Sequence, residues 1–325
     1  MKSISIVIPV FNEQAGIEEF HYNIIAPEIE KLQDKSNFSI VYVNDGSRDD
    51  SLKLLQSIAS KDDRVSVVSL SRNFGKEIAT TAGIHAASGS DAVVCLDADG
   101  QHPPALLGDF IAKWEAGAKV VVGVRESNQN EGFVKKQGSK LFYRLFNSFS
   151  GSRYKMVPRS TDFRLIDKLV VAEFLHFTER NRITRGLIDW LGFKTDYIYF
   201  DSPERLAGKA TYKTSDLAAL AINSFISLST KPLLISGYIG AFIFIVSVIA
   251  GLFIIIEQYL MGDPLGLDVT GAAQLGIFLS CLVGIVLISQ SIMSIYLSHI
   301  HTQTQGRPLF VIDKSESVNL RSDDK

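Results

Sequence analysis

Cysteine is nearly absent from this chain: its 325 residues include only two, Cys95 and Cys281. Cys95 falls in an apolar, β-favouring run and Cys281 in an uncharged one. Neither suits a disulfide or a thiolate zinc site, which agrees with a reducing compartment. A surplus of either charge is missing too, with 33 Lys plus Arg against 35 Asp plus Glu and a formal net charge of −2. No basic footprint is left for nucleic acid, so no nucleic-acid partner is expected. Two stretches, 233–256 and 271–297, contain no charge at all. Each exceeds the roughly 20 apolar residues that a bilayer-crossing helix needs, and their C-terminal place rules out a signal peptide. The connection 257–270 has three acids and no Lys or Arg, whereas Lys231, Arg307 and Lys314 flank the pair. Positive charge inside then puts both termini in the cytoplasm, in a multi-pass protein of the inner (plasma) membrane. The competing reading is a pair of buried core helices. Small residues in these runs (Gly237, Gly240, Gly251, Gly271, Gly276 and Gly284) suit packing against further copies, so a homo-oligomer is open.

What is present in the first 124 residues is alternation. Apolar runs at 4–10, 38–43, 65–70, 91–96 and 119–124 read as strands. Helical patterns fill 16–35 (irregular near Pro27), a segment starting near Asp49–Ser51, 76–88 and 104–117. Near-continuous apolar strands with helical crossovers predict an α/β fold with a mostly parallel sheet covered on both faces. Beyond 125 the pattern weakens. Residues 135–149 and 214–230 read as amphipathic helices, suited either to a membrane interface or to packing on the α/β domain. The tail 315–325 is polar and reads as disordered. The expected organisation is 1–134, 135–231 with interfacial helices, 232–298 as a transmembrane hairpin, and 299–325 as a cytoplasmic tail.

In an open parallel sheet, ligands bind beyond the carboxyl ends of the strands. Three polar clusters fall there: Phe11-Asn12-Glu13, Asn44-Asp45-Gly46-Ser47 and Asp97-Ala98-Asp99-Gly100-Gln101. In extended chain, residues i and i+2 point the same way, so Asp97 and Asp99 are expected to face one point. Two carboxylates so close repel unless a cation joins them. A hard divalent ion, Mg²⁺ or Mn²⁺, fits that demand and completes its shell with water and phosphate oxygens. The competing reading of D-x-D is a solvated turn or a helix cap.

These stretches, SIVIPVFNE (5–13), VNDGSRD (43–49), LSRNFGKEIATTAGI (70–84), DADGQHPP (97–104), TDFRLID (161–167), ERLAGKATY (204–212) and RPLFVI (307–312), resemble glycosyltransferase family 2. Within it they are most similar to polyprenyl-phosphate glycosyltransferases related to dolichol-phosphate mannose synthase and bactoprenol glucosyltransferase. The resemblance implies a GT-A (Rossmann-like) nucleotide-sugar domain with a catalytic domain on the cytoplasmic side. It implies Pro9, Phe11, Glu13, Asp45 and Asp97 for the donor, and Asp97, Asp99 and Gln101 for the metal. Asp97, Asp99 and Asp162 become the catalytic acids, with Arg164 a structural neighbour of Asp162. Arg125, Lys135, Ser139, Arg205 and Lys209 are implied for the acceptor phosphate.

The implied reaction is inverting transfer of a hexose, best glucose from UDP-glucose, to undecaprenyl or another polyprenyl phosphate at the bilayer, for cell-envelope glycan modification. Three alternatives stay open: another donor (aminoarabinose, N-acetylhexosamine or GDP-mannose), a non-enzymatic carrier or flippase subunit, and an inactive scaffold. There are departures from the family. Residue 44 is Asn where many relatives have Asp, and Lys-Ala-Thr-Tyr follows the E-R-x-x-G segment where Ser-Lys-Tyr is commoner. No Q-x-x-R-W motif is present, which disfavours a processive polysaccharide synthase. Other residues carry two readings each: His102 touches the donor side or caps its turn, Trp190 stacks on sugar or packs in the core, and Asn73 and Lys76 border the donor or form a turn and a solvated helix start.

Overall fold

A computed structural model describes residues 1–126, 157, 159–180, 182–203 and 271–320, with single positions at 249, 253 and 256. The chain divides into two compact units, one of Met1–Lys213 with Arg307–Lys325 and one of Thr214–Gly306.

In the first unit the apolar runs become strands β1 (Lys2–Val10), β2 (Ser36–Asn44), β3 (Val65–Ser69), β4 (Ala92–Cys95) and β5 (Val120–Arg125). Two further strands, β6 (Ser160–Asp167) and β7 (Thr195–Phe200), lie beyond residue 125, where the pattern predicts none. The seven form one sheet in the order β3-β2-β1-β4-β6-β5-β7. All run parallel except β6, which is antiparallel to both β4 and β5. This is the GT-A-like α/β fold with a mostly parallel sheet. Alternate side chains feed two cores: Ile4, Ile6, Ile8 and Tyr42 pack with Phe20 and Phe110 on one face, and Val7, Val41, Val43 and Val93 with Ala82 and Phe174 on the other.

The helices between strands are α1 (Ile17–Glu19), α2 (Ala26–Leu32), α3 (Ser51–Ala59), α4 (Lys76–Ala86), α5 (Leu107–Glu115), α6 (Lys168–Leu175) and α7 (Thr184–Trp190). The irregularity expected near Pro27 is a π-helical turn, Phe20–Ile25, between α1 and α2. A proline ring clashes with the carbonyl four residues earlier. The ladder widens just before it, with the Ala26 N–H donating to the His21 carbonyl five residues back.

Two expectations change. The tail does not begin as disordered chain: Ile312 and Val318 bridge antiparallel to Leu70 and Val67 of the β3 edge. The transmembrane hairpin over 232–298 is not supported, because among the described residues no helix is long and apolar enough to cross a membrane. The run 271–297 lies in helix α8 (Gly271–Thr304) of the second unit. The run 233–256, apart from three positions, lies outside the described residues, as do the amphipathic segments 135–149 and 214–230.

Candidate active site

The site starts from the parallel strands, whose carboxyl ends release three polar loops along one edge. Pro9 is still within β1, and Phe11 is the partly exposed residue just beyond it. Asn12 turns the chain with a φ of 55°. Its side-chain oxygen accepts the Arg48 N–H at 2.8 Å, while the Glu13 N–H donates to Ser51 Oγ at 2.8 Å. The first two loops are thereby tied together. Asn44, the departure from the commoner Asp, donates through Nδ2 to Ser69 Oγ at 3.0 Å and accepts the Ser47 N–H at 3.1 Å. An aspartate there would lack that donor.

Asp45 is buried and spends its carboxylate on the chain itself. Oδ1 accepts the Phe74 N–H at 2.7 Å and Oδ2 the Gly75 N–H at 2.9 Å. Burial pushes its carboxyl up, and these two N–H groups offset only part of that rise. Next to it Gly46 has a φ of 63°, and a Cβ there would collide with the backbone of Arg72 and Asn73. Glycine is what lets the second loop press against residues 72–75. Gly75, with a φ of 97°, then swings the chain into α4, so that Lys76 is its first residue.

β4 ends at Cys95, and Ala98-Asp99 already form a turn. The extended-chain argument that aligned Asp97 with Asp99 therefore does not hold. The turn is built differently. The Asp97 N–H donates to His102 Nδ1 at 3.0 Å, and Asp99 Oδ1 accepts the Gln101 N–H at 3.0 Å. His102 is buried, stacked on Phe163 with ring centroids 5.4 Å apart. Burial pulls its pKa down, against the raising effect of Asp97. It is the neutral cap of the turn, with Nδ1 unprotonated. Gln101 Oε1 accepts from Arg125 Nη2 at 3.4 Å, and its carbonyl accepts from Ser202 Oγ at 2.9 Å.

The third acid arrives because β6 runs backwards. Cys95 is the last residue of β4 to pair and meets Arg164 in the antiparallel register, two residues after Asp162. The start of β6 therefore lies at the carboxyl edge of β4. Between the two acids stands Lys76. Its Nζ lies 2.7 Å from Asp97 Oδ1, 2.9 Å from Asp97 Oδ2 and 2.9 Å from Asp162 Oδ2. Arg185 Nη1 approaches Asp162 Oδ1 at 3.9 Å from the other side. Burial alone would raise the Asp162 carboxyl; Lys76 and then Arg185 overcome it and hold Asp162 well below the usual carboxylate range. Burial likewise opposes the Lys76 charge, but Asp162 and Asp97 hold it firmly protonated. Glu77, whose Oε2 accepts the Thr184 N–H at 2.7 Å, is pushed up by burial and by Asp162.

The expected residues thus separate. Asp97, Asp99, Asp162, Gln101 and Arg125 come to one edge of the sheet. Arg164 does not pair with Asp162: it is buried and bonds Asp189 Oδ2 at 3.3 Å, the Thr161 carbonyl and the Arg185 carbonyl. Trp190 is 66% exposed with its edge on Phe177, not in the core. Lys135, Ser139, Arg205 and Lys209 lie outside the described residues. Arg185 carries no expectation from the sequence, and Lys76 was expected to border the donor or to start a solvated helix, not to bridge Asp97 and Asp162. The only signal for Lys76 was its place at a helix start after a strand-end loop.

A divalent metal suits the chemistry of the donor set. Asp97 and Asp99 offer hard oxygen ligands, and Mg²⁺ is commonly held by one or two carboxylates with water and phosphate oxygens. Two carboxylates are too few for a protein-only cage, and among the described residues no group of three His, Cys, Asp or Glu is placed to hold a metal.

Residues 5–174 match the family model described as glycosyl transferase family 2. A Bacillus subtilis protein named uncharacterized glycosyltransferase YkcC is 36% identical over 97% of this chain and 94% of its own length. The SfII prophage-derived bactoprenol glucosyl transferase of Shigella flexneri is 34% identical over 97% of this chain and 99% of its own. Among solved structures, glucosyl-3-phosphoglycerate synthase from Mycobacterium tuberculosis is similar with a TM-score of 0.46 at 18% identity, covering 68% of this chain and 75% of that one.

Proposed function

This chain belongs to glycosyl transferase family 2 and is a glycosyltransferase, and from that premise we propose that it moves a hexose from a nucleotide sugar, UDP-glucose first, to a polyprenyl phosphate. The observation that carries this reading is the meeting of Asp97 and Asp162 on Lys76 just past the carboxyl end of β4, with Asp99 in the same turn, in a chain aligned almost end to end with bactoprenol glucosyl transferases. The acceptor head group lies at a bilayer surface, and the uncharged runs 233–256 and 271–297 are the segments offered to that bilayer. The donor is a soluble cytoplasmic compound, so the proposal sets the catalytic edge on the cytoplasmic face.

An oxygen of the acceptor phosphate attacks the anomeric carbon. The bond from that carbon to the donor diphosphate breaks, and the nucleoside diphosphate leaves with the electron pair. Attack opposite the leaving group inverts the centre. Asp97 and Asp99 are the residues that would hold Mg²⁺ or Mn²⁺, which when bound offsets charge on the leaving diphosphate. A phosphate monoester has its second pKa near ~6 and is mostly dianionic at pH 7, so it needs no strong base. Asp162, held ionised far below pH 7, is a weak base in any case. Its role is to orient Lys76 and Arg185, whose charges suit phosphate oxygens.

A panel of nucleotide sugars, with undecaprenyl phosphate in vesicles and full-length protein, tests this. The expected result is UDP release that needs the lipid phosphate and a divalent ion, fastest with UDP-glucose. Release that ignores the lipid would sink the acceptor assignment, and preference for another donor would move the specificity to the alternatives above.

A further inference from the structure

We propose that Lys76 is a resident cation that keeps free metal off Asp97, so that the divalent ion enters only in company with the donor diphosphate. The inference deepens the proposed function and rests on its metal reading.

Lys76 holds Asp97 as a bound metal would, with both carboxylate oxygens within 2.9 Å of Nζ. It spans to Asp162 at 2.9 Å, so one ammonium bridges two carboxylates. The ammonium is delivered to this point, not left to wander. It is the first residue of α4, and the two residues before it are pinned by Asp45 at 2.7 and 2.9 Å.

A bare aquo ion reaching this edge must therefore displace an ammonium while shedding water, and Mg²⁺ dehydrates reluctantly. It finds no group of three His, Cys, Asp or Glu among the described residues to repay that loss. A metal arriving on a diphosphate meets different terms. Phosphate oxygens complete its shell, and their negative charge gives the displaced Lys76 a new partner. Asp162 stays within reach as the tether, which steers Lys76 between the donor and acceptor sides. Metal and nucleotide binding become strongly coupled, and a metal-only dead end is avoided.

The test is Mn²⁺ binding by electron paramagnetic resonance on the full-length protein, with and without UDP, in wild type, Lys76→Met and Lys76→Arg. The wild type should bind Mn²⁺ at least about tenfold tighter with UDP than without, the scale of one half-buried ion pair. Lys76→Met should bind Mn²⁺ without UDP about tenfold tighter than wild type, and Lys76→Arg should behave as wild type. Equal wild-type affinity with and without UDP overturns the proposal, and does so whether or not Lys76→Met folds. Unchanged nucleotide-free affinity in folded Lys76→Met also overturns it, while leaving the metal reading intact if Asp97→Asn still loses Mn²⁺ with UDP. Absence of Mn²⁺ binding to wild type even with UDP would bring down both.

Discussion

The carboxylate of Asp45 accepts the backbone N–H of Gly75 at 2.9 Å, thirty residues along the chain, and so sets where α4 begins. Its other oxygen takes the Phe74 N–H. The family resemblance implied a donor-binding acid here. The structure gives it a chain-positioning task as well, since the next residue is Lys76. Asp45→Ala should leave two N–H groups without their acceptor, at about 1–3 kcal/mol for each group kept from water. Urea unfolding should show that loss. Transfer should fall further than stability alone explains, with the change mainly in KM for the nucleotide sugar, because the loop that presents Lys76 loosens. A variant destabilised but kinetically normal would confine Asp45 to folding.

Asp97 and Asp99 should separate by what each holds. Asp99→Ala removes one proposed metal ligand and the acceptor of the Gln101 N–H. Transfer should drop by about 100-fold or more, the scale seen when charge stabilisation of a transition state is removed. Asp97→Asn removes one charge facing Lys76 but leaves it an acceptor oxygen, and Lys76 keeps Asp162. Both proteins should fold, as judged by circular dichroism and thermal melting. Normal turnover by Asp99→Ala in excess chelator would falsify the metal role.

Acid should weaken the turn through His102. Its ring nitrogen Nδ1 must be unprotonated to accept the Asp97 N–H, and burial lowers its pKa from 6.5, with Asp97 opposing. For such a base the stabilisation is complete above pH 6.5. It is lost as pH falls from there through the lowered folded value, because the unfolded chain takes up the proton first. His21, lowered by burial with Asp62 opposing, acts with the same sign. Each proton is linked to about 1.4 kcal/mol per pH unit at most. His102→Asn keeps a side-chain acceptor but does not titrate. It should be less stable at pH 7 through the lost stack on Phe163, yet show a flatter decline between pH 6.5 and 5. The check is melting temperature against pH for both proteins; parallel curves would remove His102 from the acid response.

Strands β1 to β5 were legible because each is a nearly unbroken apolar run between turns, which is what a sheet covered on both faces requires. β6 was not. Its Ser-Thr-Asp-Phe-Arg-Leu-Ile-Asp reads as a polar motif, because its buried Arg164 is satisfied by Asp189 from α7, a partner no local pattern announces. The reversal of β6 is equally silent in sequence, yet it is the reversal that brings Asp162 to Asp97. The acids themselves were visible from their place at strand ends. Lys76 was visible only as a residue bordering the donor or starting a solvated helix; its bridge between the acids was not, since its partners lie 21 and 86 residues away. The extended-chain argument for Asp97 and Asp99 failed for a local reason: the strand stops two residues before Asp97, and the period-two rule stops with it.

The segment after Gly306 offers a last test, because it turns a vulnerable edge into a paired one. β3 is the outermost strand of its side of the sheet, and an open edge invites pairing with other chains. Val318 and Val67 exchange both backbone hydrogen bonds at 2.9 Å, Ser71 N–H reaches the Val311 carbonyl at 2.9 Å, and Asp313 N–H the Ser69 carbonyl at 2.8 Å. Ser317 Oγ accepts the Ser69 N–H at 2.9 Å, and Asn319 Nδ2 donates to the Val65 carbonyl at 3.0 Å. Phe310 and Ile312 pack against the core on one face of the sheet and Val318 against the core on the other. Polar composition hid this role, since the apolar residues that dock are few and widely spaced. At roughly 1 kcal/mol net for each backbone bond, deletion of 307–325 should cost about 4 kcal/mol before any apolar burial is counted. Thermal melting should fall by several degrees and aggregation should rise, read by light scattering during the melt. Val318→Asp, which places a charge against the core while leaving the rest of the segment, should reproduce part of the loss. A deletion that melts and scatters like the full chain would mean that the docked segment contributes nothing to holding the sheet.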